Sequence, residues 1–140
     1  LFYAYRDFTG DPDAVLAEYG FGRAHHRVVH FVSRNPGMSV AELLEILRIT
    51  KQSLSRVLSQ LVERGFIMQK QGTRDRRQRL LYLTETGSDL AERLAESQKR
   101  RVARAYREAG ADAVEGYRKV LAGLIGEGSR EAVLRSFRRR

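Results

Sequence analysis

The chain has 140 residues, no cysteine and a net charge of +9, with 42% hydrophobic and 31% charged residues. These values indicate one folded globular domain and exclude disulfides, thiolate zinc sites and thiol redox sensors. Nine basic and two acidic side chains lie between residues 48 and 79, which predicts that this segment contacts nucleic acid.

The N-terminal part of the chain predicts three helices. Residues 1–9 carry apolar side chains at helical spacing and are expected to end a first helix. Asp11-Pro12-Asp13 is typical of a helix start, because Asp is favoured as N-cap and Pro at the first helical position. A second, short helix is therefore expected to end at Tyr19. A third is expected over residues 23–34, ended by the turn Asn35-Pro36-Gly37.

Two further helices predict a helix-turn-helix. Ser39 and Glu42 form a capping-box pattern at the start of a short helix. Thr50 is placed to cap the next helix, whose apolar stripe ends before the stop at Gly65. Short polar and basic side chains on the other face suit contact with base edges. These side chains are Lys51, Gln52, Ser53, Ser55, Arg56, Ser59 and Gln60.

A basic hairpin is predicted directly after this motif. Residues 67–71 and 78–83 have the pattern of two short strands. A tip with several arginines suits insertion into a narrow minor groove, where the negative potential attracts arginine. Asp75 is expected to orient one of these arginines. The charged tip residues are Arg74, Asp75, Arg76 and Arg77.

The C-terminal part predicts helices over about residues 84–109, 112–125 and 130–137. The first of them would be roughly 37 Å long at 1.5 Å per residue, which is more than a small winged domain needs. We therefore expect it to join a homodimer together with the terminal helices. Apolar side chains that would supply the interface are Val114, Tyr117, Leu121, Leu124 and Phe137.

Together these motifs resemble the MarR family over residues 20–87. The shared stretches are Thr50-Lys51-Gln52-Ser53, Leu61-Val62-Glu63-Arg64-Gly65-Phe66-Ile67, Asp75-Arg76-Arg77 and Leu81-Tyr82-Leu83-Thr84-Glu85-Thr86-Gly87. The resemblance implies a mainly α fold with a small β-hairpin wing. It also implies a homodimeric repressor or activator at a pseudo-palindromic operator, whose DNA affinity is weakened by a small aromatic or phenolic ligand.

The resemblance also implies roles for single residues. Ser39 and Lys51 would contact phosphate, and Arg77 would enter the minor groove with Asp75 as its partner. Gln52, Ser53, Ser55 and Arg56 would enter the major groove. Residues 1–20 and 84–140 would form the dimerisation parts, and residues 21–83 the DNA-binding part, within one compact domain.

An effector crevice is expected between the dimerisation helices and the winged part. Its candidate lining is Tyr5, Phe8, Tyr19, Phe21, His26 and His30, because aromatic and imidazole groups cluster there without a DNA role. Dimer core is an equally good interpretation of these side chains.

Two alternative functions stay open at this point. His26 and His30 lie four residues apart and would share a helix face, a spacing that can bind zinc in a metal-sensing regulator. A non-specific nucleoid or RNA-binding protein would have the same basic charge. No catalytic motif is present, so an enzyme and a cofactor are not expected. A cytoplasmic location is expected, and the absence of cysteine is compatible with a reducing compartment. No run reaches the apolar length of a membrane span.

Overall fold

The computed structural model describes the backbone of residues 1–138 and the side chains of residues 1–136. The predicted contribution of Phe137 to an apolar face lies outside the described side chains. The elements are α1 (Phe2–Glu18), α2 (Arg23–Arg34), β1 (Met38–Ser39), α3 (Val40–Leu47), α4 (Lys51–Glu63), β2 (Ile67–Gln71), β3 (Arg79–Leu83), α5 (Glu85–Ala109), α6 (Ala111–Leu124) and α7 (Glu127–Arg138). The predicted fold class, mainly α with a hairpin wing, is confirmed.

The helix α1 runs unbroken past Asp11, so the expectation of two helices here is wrong. Pro12 lies inside α1 and is fully buried. Because proline has no N–H, the carbonyl of Phe8 loses its partner within the helix. The side-chain amide of Gln98 donates to that carbonyl at 3.1 Å instead. A contact 90 residues away in the chain therefore compensates for the proline, and no local pattern indicates it.

The sheet has three antiparallel strands in the order β1-β3-β2. Ile67 pairs with Leu83 and Gln71 with Arg79, which gives the predicted hairpin. The third strand, β1, was not predicted from the sequence. Its two residues are too few to show a period, and it is defined by the pairing of Met38 with Leu81.

The chain divides into two compact units, Leu1–Lys99 and a second from Arg100 onward. The division falls inside α5, later than the functional boundary expected at residue 84. The core of the first unit is aliphatic, with two phenylalanines. Its buried hydrophobic side chains are Leu16, Phe21, Val28, Val29, Val32, Met38, Leu43, Leu54, Val57, Leu58, Leu61, Phe66, Ile67, Leu81, Leu90 and Leu94.

The second unit contains the end of α5 with α6 and α7. Tyr106 and Tyr117 meet edge to face with ring centroids 6.5 Å apart. The expected start of the last helix near Arg130 is three residues late, since α7 begins at Glu127. The Gly126 carbonyl accepts the backbone N–H groups of Ser129 and Arg130, which carries the helix back to this point.

In the described part of the chain, no helix has the length and apolar character needed to cross a membrane.

Candidate nucleic-acid interface

The helix α4 has one buried and one exposed face, as its pattern predicts. Thr50 caps it, with its side-chain oxygen accepting from the Ser53 N–H at 3.1 Å. The apolar face is buried in the core through Leu54, Val57, Leu58 and Leu61. Ser53 is half-buried. The exposed side chains of residues 51–60 are Lys51, Gln52, Ser55, Arg56, Ser59 and Gln60.

Ser39 differs from this exposed set. It is only 4% exposed, and its hydroxyl accepts the Glu42 N–H at 3.1 Å. The Glu42 carboxylate accepts the Ser39 N–H at 2.8 Å, which completes the predicted capping box. The contact of Ser39 with a DNA phosphate stays a prediction that depends on the resemblance alone.

The turn between α3 and α4 requires an unusual backbone conformation. Arg48 ends α3 with φ 51° and ψ 43°, the left-handed region. Among the described residues it is the only one other than glycine with a positive φ. Its N–H donates to the Leu44 carbonyl at 2.9 Å. This closes α3 and fixes the angle at which α4 begins.

The wing tip is closed by hydrogen bonds among residues 71–78, between the end of β2 and the start of β3. The Gly72 N–H donates to the Gln78 carbonyl at 2.9 Å, and the Gln78 N–H donates to the Asp75 carbonyl at 3.1 Å. The Gln71 side chain donates to the Arg76 carbonyl at 2.9 Å. Gly72 is required here, because a Cβ atom would lie 2.4 Å from the Asp75 carbonyl oxygen.

The wing arginines Arg74, Arg76 and Arg77 are exposed. The Asp75 carboxylate accepts the backbone N–H of Arg77 at 3.0 Å. Asp75 was expected to orient an arginine. In the structure its carboxylate holds the main chain of Arg77, and the guanidinium groups of the tip stay exposed to solvent.

An aromatic cluster joins the ends of α1 and α4 to the start of α2. Tyr19, Phe21 and Phe66 contact one another with ring centroids 5.5 to 6.0 Å apart. The His25 ring stacks on Phe21 at 4.5 Å. The Arg64 guanidinium lies 4.6 Å from the Phe21 ring centroid and donates to the Tyr19 carbonyl. The cluster therefore connects the C-terminal end of α4 to the rest of the first unit.

The predicted effector lining falls into separate groups. Tyr19 and Phe21 belong to the aromatic cluster. Tyr5 lies beside α2, where its hydroxyl accepts from Arg27 at 3.5 Å. Phe8 is half-buried in α1. His26 is half-buried and His30 exposed on α2.

Burial lowers the pKa of His26 below its ordinary value, and the charge of His30 lowers it further. Both histidines lie on α2, four residues apart, so they share a face of that helix as predicted. In the described residues, no group of three or more His, Asp or Glu side chains is placed to hold a metal ion. Glu18, the last residue of α1, pairs with Arg93 at 3.1 Å.

Two side chains at this surface, Gln71 and His25, had no predicted role. Gln71 holds the wing tip, and His25 bonds to Gln60 on α4, with 2.6 Å between His25 Nε2 and Gln60 Oε1. A sequence signal existed only for His25, which stands three residues after the helix-capping Gly22. Polar side chains at that position often bond back to the N-cap N–H.

Comparison with known proteins places the chain in a family. The sequence profile of the MarR family matches residues 19–78. The chain is similar to the HTH-type transcriptional regulator PetP of Rhodobacter capsulatus, with 48% identity over 125 residues that cover 89% of this chain and 75% of PetP.

Solved structures share the fold. A MarR protein from Peptoclostridium difficile has a TM-score of 0.73 at 18% identity, over 99% of this chain and 88% of that one. A mutant MarR from E. coli complexed with operator DNA has a TM-score of 0.67 at 19% identity, over 87% of this chain and 88% of that one. Since the fold, the matched profile and the similarity to PetP agree, this chain belongs to the MarR family of winged helix-turn-helix transcriptional regulators.

Proposed function

We propose that this chain regulates transcription as a homodimer on double-stranded DNA, at a pseudo-palindromic operator. The observation that carries the proposal is the exposed face of α4, which is polar and basic from Lys51 to Gln60 without an acidic side chain. A wing tip with exposed arginines follows it in the chain. The MarR structure with operator DNA supports this assignment, because it has the same fold.

Eight side chains of α4 and the wing have a proposed task. Lys51 contacts phosphate, as a flexible ammonium suits a charged oxygen. Arg56 can donate two hydrogen bonds to a guanine edge in the major groove. Arg77 enters the minor groove, where width and potential matter more than base identity. The major-groove set also includes Gln52, Ser53 and Ser55. The DNA phosphate backbone is contacted by Arg74 and Arg76, which flank Asp75 in the wing tip.

The proposal is tested with a duplex selected from a random pool and a scrambled duplex, over a salt series. Arg56→Ala should cost about 1–3 kcal/mol on the selected duplex and relax the preference at one position of each half-site. Arg77→Ala should weaken binding to both duplexes and reduce the salt slope by about one unit. Asp75→Ala should weaken binding partially, through the loss of tip geometry. The control is Arg104→Ala, which removes an exposed charge from α5.

Two results would contradict this function. If the wild type binds both duplexes equally, the protein is a non-specific nucleic-acid binder. If Arg77→Ala changes neither affinity nor slope, the wing does not contact DNA.

We propose that residues 1–20 and 84–140 form the dimer and that residues 21–83 bind DNA. Support comes from α6, whose apolar side chains Tyr117, Val120 and Leu124 are 50 to 65% exposed in the single chain. Apolar exposure of this extent favours a protein partner. Leu124→Glu should produce monomers in sedimentation or light scattering at micromolar concentration, whereas the exchange Leu124→Met should not. A monomeric wild type would contradict the dimer.

We also propose that a small aromatic or phenolic effector releases the DNA. The candidate side chains are Tyr5, Phe8, Tyr19, Phe21, His26 and His30. Phenolic compounds should then raise the melting temperature and lower DNA affinity; if they do neither, these groups are structural. The regulator is proposed to act in the cytoplasm, without catalysis or a resident cofactor.

A further inference from the structure

His25 is held on three sides at the start of α2. Its Nδ1 accepts the Gly22 N–H at 3.0 Å. Its ring stacks on Phe21, with an angle of 15° between the two planes. Its Nε2 lies 2.6 Å from Oε1 of Gln60, an exposed side chain of α4.

These contacts fix both the tautomer of His25 and the orientation of the Gln60 amide. Because Nδ1 accepts a hydrogen bond, the ring hydrogen of the neutral imidazole is on Nε2. Nε2 therefore donates, and the amide oxygen of Gln60 accepts. The opposite end of that amide, Nε2 of Gln60, carries two donors. Among the described residues no acceptor contacts them.

The orientation limits what Gln60 can recognise. A glutamine usually reads adenine with both ends of its amide, accepting from one base atom and donating to another. The bond from His25 already engages one of the two lone pairs of the amide oxygen, which makes Gln60 less suited to this two-point contact. Gln60 also lies near the end of α4, one turn after Arg56, whereas recognition helices read bases mainly with their N-terminal residues. At this end of the helix, the two N–H donors of the Gln60 amide suit an oxygen acceptor of the DNA backbone.

We propose that His25 is a positioning residue that presents the Gln60 amide as a hydrogen-bond donor to a phosphate oxygen. This inference rests on the proposed DNA-binding function and adds a contact that is independent of sequence. The aromatic cluster gives the pair a fixed base, because Arg64, one turn after Gln60, stacks on the same Phe21 ring and bonds the Tyr19 carbonyl. The far end of α4 is thereby held at two successive turns.

Two substitutions of His25 separate its hydrogen bond to Gln60 from its other contacts. Asparagine is long enough to accept the Gly22 N–H but too short to reach Gln60. Glutamine is longer, and its amide can accept at the N-cap, as in a capping box, and donate to Gln60. His25→Asn and Gln60→Ala should each weaken binding about 3- to 10-fold, the range of one neutral hydrogen bond. His25→Gln should bind within about twofold of the wild type.

The duplexes and the double variant distinguish a phosphate contact from a base contact. The loss should be equal on the selected and the scrambled duplex, and the salt slope should not change, because a neutral amide releases no counterion. The double variant His25→Asn/Gln60→Ala should lose no more than either single one. A loss confined to the selected duplex, or losses that multiply in the double variant, would overturn the inference.

A measurement without DNA keeps the two proposals separate. In the free wild-type protein, nitrogen NMR should show His25 as the Nε2–H tautomer, and His25→Asn should shift the side-chain amide signals of Gln60. If these signals behave so and DNA binding is unchanged in His25→Asn, this inference alone fails. If the wild type binds neither duplex, the DNA-binding function fails as well, whatever the NMR result.

Discussion

A close contact with the main chain requires glycine at position 87, in the first turn of α5. The Thr84 hydroxyl donates to the Gly65 carbonyl at 2.5 Å and accepts the Gly87 N–H at 3.0 Å. This draws the first turn of α5 against the segment between α4 and β2. A Cβ atom on Gly87 would lie only 2.0 Å from the carbonyl oxygen of Phe66 and 3.3 Å from Cβ of Leu83.

Gly87→Ala should therefore destabilise the protein, although alanine normally favours a helix. An oxygen on the main chain cannot rotate away, so α5 must shift by roughly 1 Å or more, the kind of overpacking that costs about 1–3 kcal/mol. The helix preference for alanine returns at most about 1 kcal/mol. After this gain is subtracted, the free energy of unfolding should be lower by up to about 2 kcal/mol.

Gly10→Ala is the matched control. Gly10 lies inside α1, and a Cβ atom there meets nothing within 4 Å. The same exchange should raise the free energy of unfolding by up to about 1 kcal/mol. Both variants are compared by urea denaturation at one protein concentration, since the stability of the proposed dimer would depend on concentration. A Gly87→Ala variant as stable as Gly10→Ala would refute the steric argument.

Three further predictions follow from single positions. The pKa of His26 is lowered in the folded chain, so the unfolded chain binds this proton at a higher pH than the folded chain does. The free energy of unfolding of the wild type should therefore fall relative to that of His26→Gln as the pH is lowered from about 8 to about 5. Parallel pH dependences of the two proteins in urea denaturation would contradict this. Arg48→Gly should raise the free energy of unfolding by about 1 kcal/mol, because glycine adopts the left-handed backbone without strain; an unchanged urea midpoint would count against it. Gly72→Ala should weaken DNA binding in titrations about as much as Arg77→Ala, because a Cβ atom cannot fit beside the Asp75 carbonyl; wild-type affinity would argue against a closed tip.

The elements around the proposed DNA surface were predictable because their signals are local. Ser39 with Glu42 and Thr50 with Ser53 are capping pairs three residues apart, and both form as expected. The apolar stripe of α4 and the hairpin are likewise set by short-range periodicity and turn chemistry.

Features that depend on distant contacts were not predictable. Pro12 indicates a helix start when it is read locally, but burial and the donor from Gln98 allow α1 to continue through it. The strand β1 exists because β3 pairs with it, and its own two residues carry no strand pattern. In both cases the decisive partner lies more than 40 residues away in the chain.

The same distinction separates the two kinds of residue on the α4 surface. A composition of lysine, serine, glutamine and arginine shows that the helix suits DNA, but it does not show what each side chain has left to offer. Gln60 is chemically able to read adenine, and the hydrogen bond from His25, 35 residues earlier, already engages its amide oxygen. Asp75 is able to pair with a guanidinium, yet it binds a backbone N–H. Specificity at such a surface depends on which hydrogen-bonding groups the protein itself already uses, and that information lies in the tertiary contacts.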